Sequence, residues 1–336
     1  MLFRSLLAAP TASLTREAVL TALHQALDSS HGQRNFDATV RPTNLFDLLT
    51  EHGPGLLVRH GAGPDERFTF LHDAFVDLAW AQAHHAPQPP EPSLLHLIED
   101  PRYDYPLLHL AMLHADPTWL IDALLLSPDQ PRRMERALEL LALHPYPQPA
   151  LATRVLDAYW HRATTTGGFE VRWPEWRYAQ PLYLATLDAL RQTTGLTANS
   201  SPSERSHALE RNPTGVQALA TTLGRYGIAI CNVGHAEPAA AVRREQIILT
   251  RLLLNLPDGA TEEQQRIAAT EQPKLTRDLA IALFHRGGAL LSLDRSGTGQ
   301  HWRESLALYE ELLAVAPWLQ PERDLVAGHL RRLDAE

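Results

Sequence analysis

The last third of this 336-residue chain contains an internal repeat with a constant offset of 60 residues and no gaps. The matching positions are mostly leucine, alanine and glycine: Leu219-Ala220 with Leu279-Ala280, Leu223 with Leu283, Gly227 with Gly287, Arg243 with Arg303, Leu252-Leu253 with Leu312-Leu313, and Pro257 with Pro317. Each copy has the pattern of a helix, a turn, a second helix and a closing proline. Such a helical hairpin needs neighbours to bury its apolar face, so the repeat predicts a stacked helical array.

The apolar residues support a mainly α fold. The chain has 58 leucines against 8 isoleucines and 11 valines. Leucine loses little side-chain freedom in a helix, whereas β-branched residues favour strands. The net charge of −9 opposes binding to nucleic acid and to anionic lipid, so we expect neither as a partner.

Residues 1–86 have the outline of a winged-helix domain. Thr15 is a candidate N-cap for a first helix, and a second short helix is predicted at about 44–52. Two strand-like runs at 56–59 and 67–70 flank a segment of turn residues, and a third helix begins near His72.

A proline-rich stretch ends this domain, and a HEAT-like helical array is predicted over residues 93–193. Its helix starts are marked by a polar residue followed by proline, at Asp100-Pro101, Asp116-Pro117, Gln130-Pro131 and Gln148-Pro149. Residues 163–177 interrupt the helical pattern and are predicted as a loop or small hairpin. A second break at 194–204 precedes the repeat-containing region, 203–336.

One segment resembles the winged-helix region of NACHT-type signalling NTPases of the STAND class, which carries the pattern F-x-H-x-x-F-x-E-aromatic-x-A. Phe70, His72, Phe75 and Ala81 fit this pattern, while aspartate and leucine stand where the glutamate and the aromatic residue are expected. The final repeats resemble degenerate tetratricopeptide (TPR) repeats: Tyr309 and Pro317 hold consensus-like places, and Ser305 replaces an alanine.

The resemblance implies a role for His72 as a sensor that contacts the phosphates of ADP on an adjoining NTPase domain. The alternative is a structural histidine bonded to a backbone carbonyl. The chain contains no G-x-x-x-x-G-K-[ST] motif, and Lys274, its one lysine, lies in no phosphate loop. We therefore expect no cofactor in this chain, and ADP or ATP only through a missing or separate NTPase domain. Whether Met1 is the true start stays open.

The other groups of candidate residues do not indicate an enzyme. The closest histidine and carboxylate groups, around His84-His85, His109/His114, His96/Glu99 and His207/Glu210, lack the spacing of a metal site. Cys231 and His235 are four residues apart, but the cysteine is predicted on an apolar helix face that ends before His235. We expect no enzyme. Trp173 and Trp176, in the predicted loop, are candidates for a partner contact; the alternative is that they fill the space between helices.

These observations favour a non-enzymatic regulatory and protein-interaction region of a NACHT/STAND-like signalling protein. Its helical array would bind a protein ligand and couple that binding to an NTPase domain. The alternative is a free-standing HEAT/TPR-type adaptor without a nucleotide-linked function. A cytoplasmic location is expected, because the single cysteine leaves no intrachain disulfide.

Overall fold

The computed structural model describes residues 15–28, 43, 46–47, 50, 57–60, 67–70, 77, 81, 92–127, 130–145, 148–165, 173–294 and 296–335. They are mainly helical, as predicted. The chain forms two compact units, residues 1–147 and 148–336.

The elements of the first unit are α1 (Arg16–Asp28), β1 (Leu57–His60), β2 (Arg67–Phe70), α2 (Asp104–Leu113), α3 (Thr118–Leu125) and α4 (Pro131–Leu143). The second unit contains α5 (Pro149–Thr165), α6 (Trp173–Thr194), α7 (Pro202–Arg211), α8 (Pro213–Asn232), α9 (Ala236–Leu253), α10 (Glu262–Glu271), α11 (Pro273–Ser292), α12 (Thr298–Leu313) and α13 (Gln320–Leu333). Short 3-10 helices cover Pro92–Glu99, Pro101–Tyr103 and Pro317–Leu319.

The described residues near the start of the first unit contain the predicted first helix and strand pair, and most of the helices predicted at about 44–52 and from near His72 lies outside them. The hydroxyl of Thr15 accepts a hydrogen bond from the backbone N–H of Ala18 and so caps α1. β1 and β2 form an antiparallel pair with Leu57 opposite Phe70, and the first strand begins one residue later than predicted. Five buried side chains from α1, the segment around Phe46 and both strands form a small core: Val19, Leu23, Phe46, Leu57 and Phe68. The rings of Phe46 and Phe68 meet edge to face at 4.9 Å.

All four polar-proline steps mark helix starts. Asp100 caps the 3-10 helix that begins at Pro101, and Asp116 accepts a hydrogen bond from the backbone N–H of Thr118 at 2.9 Å. α4 begins at Pro131 and α5 at Pro149. Proline suits these positions because its missing N–H is in the first turn, where a helix has no partner for it.

The second unit begins earlier than the predicted repeat region. Trp176 stacks on Tyr226 of α8 with ring centroids 6.2 Å apart, and Tyr183 lies 5.8 Å from the same tyrosine. Arg191 of α6 also pairs with Glu245 of α9 at 2.7 Å. These contacts of α6, and the ion pair of Asp157 in α5 with Arg225 in α8, group both helices with the repeats. The boundary at 147/148 is placed differently from the predicted boundaries at 86–93 and 193–203. Hydrophobic periodicity shows where helices lie and does not show which helices pack together.

The internal repeat appears in the structure as two copies of a three-helix unit. The first copy is α7–α9 and the second is α10–α12. α7 and α10 begin with matching capping boxes, Ser201 with Glu204 and Thr261 with Gln264, which are separated by the same 60 residues. Sequence analysis missed these short helices. Within each copy the two long helices pack together, and α9 packs against α11 to join the copies.

Glycine allows the long helices of the second copy to approach closely. A Cβ atom at Gly287 of α11 would lie 2.5 Å from Nε1 of Trp302 in α12. The Trp302 side chain is 3 % exposed and donates a hydrogen bond from Nε1 to the backbone carbonyl of Phe284 at 2.9 Å. Trp302 thus fills the space beside Gly287 with its polar atom bonded.

Candidate ligand-binding site

A cavity of about 340 Å³ lies within the second unit. Its walls come from α5, α8, α9 and α11, so both copies of the repeat contribute. The lining combines apolar side chains with a group of charged ones. Among the described residues the charged lining consists of four cationic side chains and one carboxylate: Arg225, Arg243, Lys274, Arg277 and Asp278. A cavity of this size with a few polar groups is typical of a ligand site.

Two glycines of α8 make room for polar side chains of α9. A Cβ atom at Gly224 would lie 2.6 Å from Nε2 of Gln246, and one at Gly227 would lie 2.9 Å from Nε of Arg243. Any larger residue at these positions would displace the α9 side chains. The glycines therefore let Arg243 and Gln246 lie across the face of α8.

Arg243 is the buried residue among the charged lining residues of the cavity. Its side chain is 1 % exposed, and its Nη1 atom donates a hydrogen bond to Oε1 of Gln246 at 2.5 Å. Its Nε and Nη2 atoms have no hydrogen-bond partner within the described part of the chain. Burial lowers the pKa of Arg243 from 12.5 to about 9, so the guanidinium is still charged at neutral pH.

The other arginines of the cavity have acidic partners outside it. Arg225 pairs with Asp157 of α5, and Arg277 pairs with Glu322 of α13 at 2.6 Å. Asp278 is the one carboxylate among the described lining residues, and its pKa is raised by burial. With those two arginines paired, the cavity keeps a small excess of positive charge, from Arg243 and Lys274 against Asp278.

Exposure decreases from the rim of the cavity to its floor. Thr221 and Lys274 are exposed, whereas Arg243 and Gln246 are buried. A ligand that enters the cavity would leave water as it reaches the guanidinium of Arg243. Electrostatic interactions strengthen along such a path because the local dielectric falls.

The described lining residues of the cavity include none of the predicted site residues. His72 is outside the described residues, as are His84 and His85. Trp173 begins α6, and its side chain is not among those described.

The position of Trp176 differs from the predicted loop at residues 163–177. It lies in the first turn of α6 with 1 % of its surface exposed. Its ring packs on Tyr183 and Tyr226, so it is a core residue and is closed to a partner in this structure. The prediction of an exposed contact there is wrong, because a Trp-Pro-Glu-Trp run at a helix start shows too few turns for its periodicity to be seen.

The remaining candidates were a metal group and the Cys231/His235 pair. Among the described residues no group of three or more His, Cys, Asp and Glu side chains could hold a metal ion. α8 carries the free thiol of Cys231 and ends at Asn232, and the exposed His235 follows Gly234, whose φ is +87°. No helix in the described ranges is both long and apolar enough to span a membrane.

Sequence analysis missed Arg243 as a site residue. The repeat aligns it with Arg303, which is 62 % exposed and pairs with Asp334 at 3.0 Å. The available signal was the pair of glycines three residues apart on α8, Gly224 and Gly227. Their lack of side chains leaves space for a large residue of the next helix, and in the first copy that residue is charged.

No family model, curated protein or solved structure matches the chain. Its function is therefore argued from its own residues.

Proposed function

We propose that this chain is a non-enzymatic regulatory and protein-interaction region of a NACHT/STAND-like signalling protein. The observation that carries the proposal is the cavity formed by α5, α8, α9 and α11, with an excess of positive charge. Repeat arrays present such recesses to their ligands while the helices around them supply stability. The residues of the cavity are suited to binding, and no described group has the composition of a metal centre.

The proposed architecture is a winged-helix unit, a HEAT-like array and a TPR-like array. The antiparallel β1–β2 pair and its core with α1 support the first of these. The matched copies α7–α9 and α10–α12 support the last. In this proposal the winged-helix unit contacts an NTPase domain in the cytoplasm, and His72 senses the nucleotide bound there.

Ligand binding would act by shifting an equilibrium between two states of the joined protein. This requires that the ligand bind one state more tightly than the other. The array supplies the ligand site, and the winged-helix unit supplies the contact through which the NTPase domain responds. ADP and ATP enter the scheme only through that domain.

The test begins with the coding sequence upstream of, or next to, this chain. If a P-loop NTPase domain is encoded there, it is produced together with the chain, and the rate of nucleotide hydrolysis is measured. We expect His72→Ala to raise the basal rate at least about fivefold, because the resting state loses its contact to ADP. His96→Ala, at an exposed histidine outside the winged-helix unit but within residues 1–147, serves as the control and should leave the rate unchanged.

An unchanged rate in His72→Ala, or no P-loop domain encoded nearby, would contradict the NTPase-linked role. The alternative, a free-standing HEAT/TPR-type adaptor, would then stand. The same cavity supports both readings, since each requires a binding surface on the helical array.

A further inference from the structure

We propose that the cavity is a receptor for an oxyanion, with Arg243 as the group that binds it. The anion would be a carboxylate or a phosphate group carried by the ligand of the array. This inference rests on the proposed function and adds the chemistry that the cavity recognises.

The argument begins with the unpaired edge of the guanidinium. Nη1 of Arg243 is bonded to Gln246, while Nε and Nη2 have no partner. Nε–H and the adjacent Nη2–H point side by side along one edge of the planar group. Two parallel N–H donors match the two oxygens of a carboxylate or phosphate. Neither donor of this edge has a partner among the described residues, Nε packs beside Gly227, and Arg243 lines the cavity.

Burial makes that edge selective for an anion. A charged group removed from water costs several kcal/mol unless an opposite charge or strong hydrogen bonds replace the water. Arg243 is 1 % exposed and stays charged at neutral pH. A neutral ligand would leave this cost in place, whereas an anion would offset it.

The surroundings strengthen the attraction to an anion. Lys274 lines the cavity at its exposed rim and adds a second positive charge, while Arg225 and Arg277 are paired with Asp157 and Glu322. Asp278 is the opposing group, but it does not occupy the guanidinium edge, since Nε and Nη2 are without partners.

A second observation separates this residue from the other arginines. Arg225, Arg277 and Arg303 each have an acidic partner, Asp157, Glu322 and Asp334 respectively. Arg243 shares the cavity with Asp278 without forming a hydrogen bond to it through its free edge. Among the described arginines that line the cavity, Arg243 is thus the buried one, and its Nε and Nη2 atoms lack a partner.

The test is a calorimetric titration of the full chain with inorganic phosphate and, separately, with glutarate, at neutral pH and constant ionic strength. We expect at least one of the two anions to bind. Arg243→Met should weaken that binding at least about tenfold, because two charge-assisted hydrogen bonds are lost. Arg303→Met, at the equivalent position of the repeat, should leave the affinity unchanged.

A second pair of variants tests the cavity without changing Arg243. Thr221 lies at the exposed rim on α8. Thr221→Glu places a carboxylate there and should weaken anion binding severalfold, while Thr221→Gln, similar in size and neutral, should not. Arg243→Lys keeps the charge, removes the planar fork and should also weaken binding.

Binding of phosphate alone assigns the site to phosphate groups, and binding of glutarate assigns it to carboxylates. If neither anion binds, or if Arg243→Met retains the full affinity, the proposal is overturned. Because the titration uses the chain without an NTPase domain, its failure leaves the NTPase-linked proposal intact. Conversely, anion binding survives if the His72 experiment fails.

Discussion

The two copies of the repeat use the same glycine position for opposite purposes. Beside Gly227 the first copy places the charged side chain of Arg243, with one edge free of partners. Beside Gly287 the second copy places Trp302, whose ring packs near Phe284 and His329 and whose Nε1 is bonded. One copy thus has a polar group open to a cavity, and the other has a closed aromatic core. The comparison shows how a duplicated unit divides binding and stability between its copies.

The largest expected effect tests this division directly. Trp302→Ala should lower the free energy of unfolding by about 3–5 kcal/mol, because a large buried ring is replaced by a cavity. Arg243→Met should cost less than about 1 kcal/mol or stabilise the fold, since it removes a buried charge while keeping an unbranched chain. Denaturant unfolding monitored by circular dichroism measures both. If Arg243→Met lowered the free energy of unfolding as much as Trp302→Ala does, the arginine would be a main contributor to stability, which would contradict this division.

The glycines themselves give a smaller and more local contrast. Gly287→Ala should cost about 2 kcal/mol, because the new methyl group meets the rigid ring of Trp302. Gly227→Ala should cost less than about 1 kcal/mol, since the arginine can shift and alanine favours the helix. The midpoint of chemical unfolding reports each change. Equal costs at the two positions would show that the two helical interfaces are equally rigid.

The smallest effect concerns pH. In the second copy burial lowers the pKa of His285 to about 3 and that of His301 to about 4, whereas His207 and His235 of the first copy are exposed. Unfolded His285 takes up a proton below about pH 6.5, and the folded form does so only near pH 3. The free energy of unfolding therefore does not depend on the protonation of His285 above pH 6.5. Below pH 6.5 it falls by up to about 1.4 kcal/mol per pH unit.

His285→Gln should flatten the fall in unfolding free energy between pH 6.5 and pH 4.5 by the slope of one proton. His235→Gln, at the exposed histidine, should keep the wild-type slope. The measurement is a series of denaturant curves at fixed ionic strength. If both variants follow the wild-type slope, His285 does not remain neutral in the fold over this range.

Sequence reasoning predicted the features that depend on neighbouring residues. The helix starts at Asp100, Asp116, Gln130 and Gln148, the cap at Thr15 and the two strands are set by local chemistry and appear in the structure. The repeat was visible because both copies bury the same face.

Features that depend on distant residues were not predictable in the same way. Trp176 finds its partners Tyr183 and Tyr226 only when α6 packs on α8. Arg243 appeared equivalent to Arg303, and the difference lies in what faces each side chain. The unit boundary at 147/148 likewise follows from packing between helices. These contacts are determined by the sequence, but they cannot be recognised from the pattern of neighbouring residues.

The paired capping boxes have a consequence for how such arrays change length. Ser201 and Thr261 define the first turn of their three-helix units with bonds to residues three positions away. The segment 254–260 between the units is without helix and includes Gly259 with φ of +72°. Each unit therefore sets its own register, and extra residues inserted between the units would leave both starting points unchanged. A duplicated three-helix unit would also begin at the correct residue, because its capping box is part of the duplicated sequence.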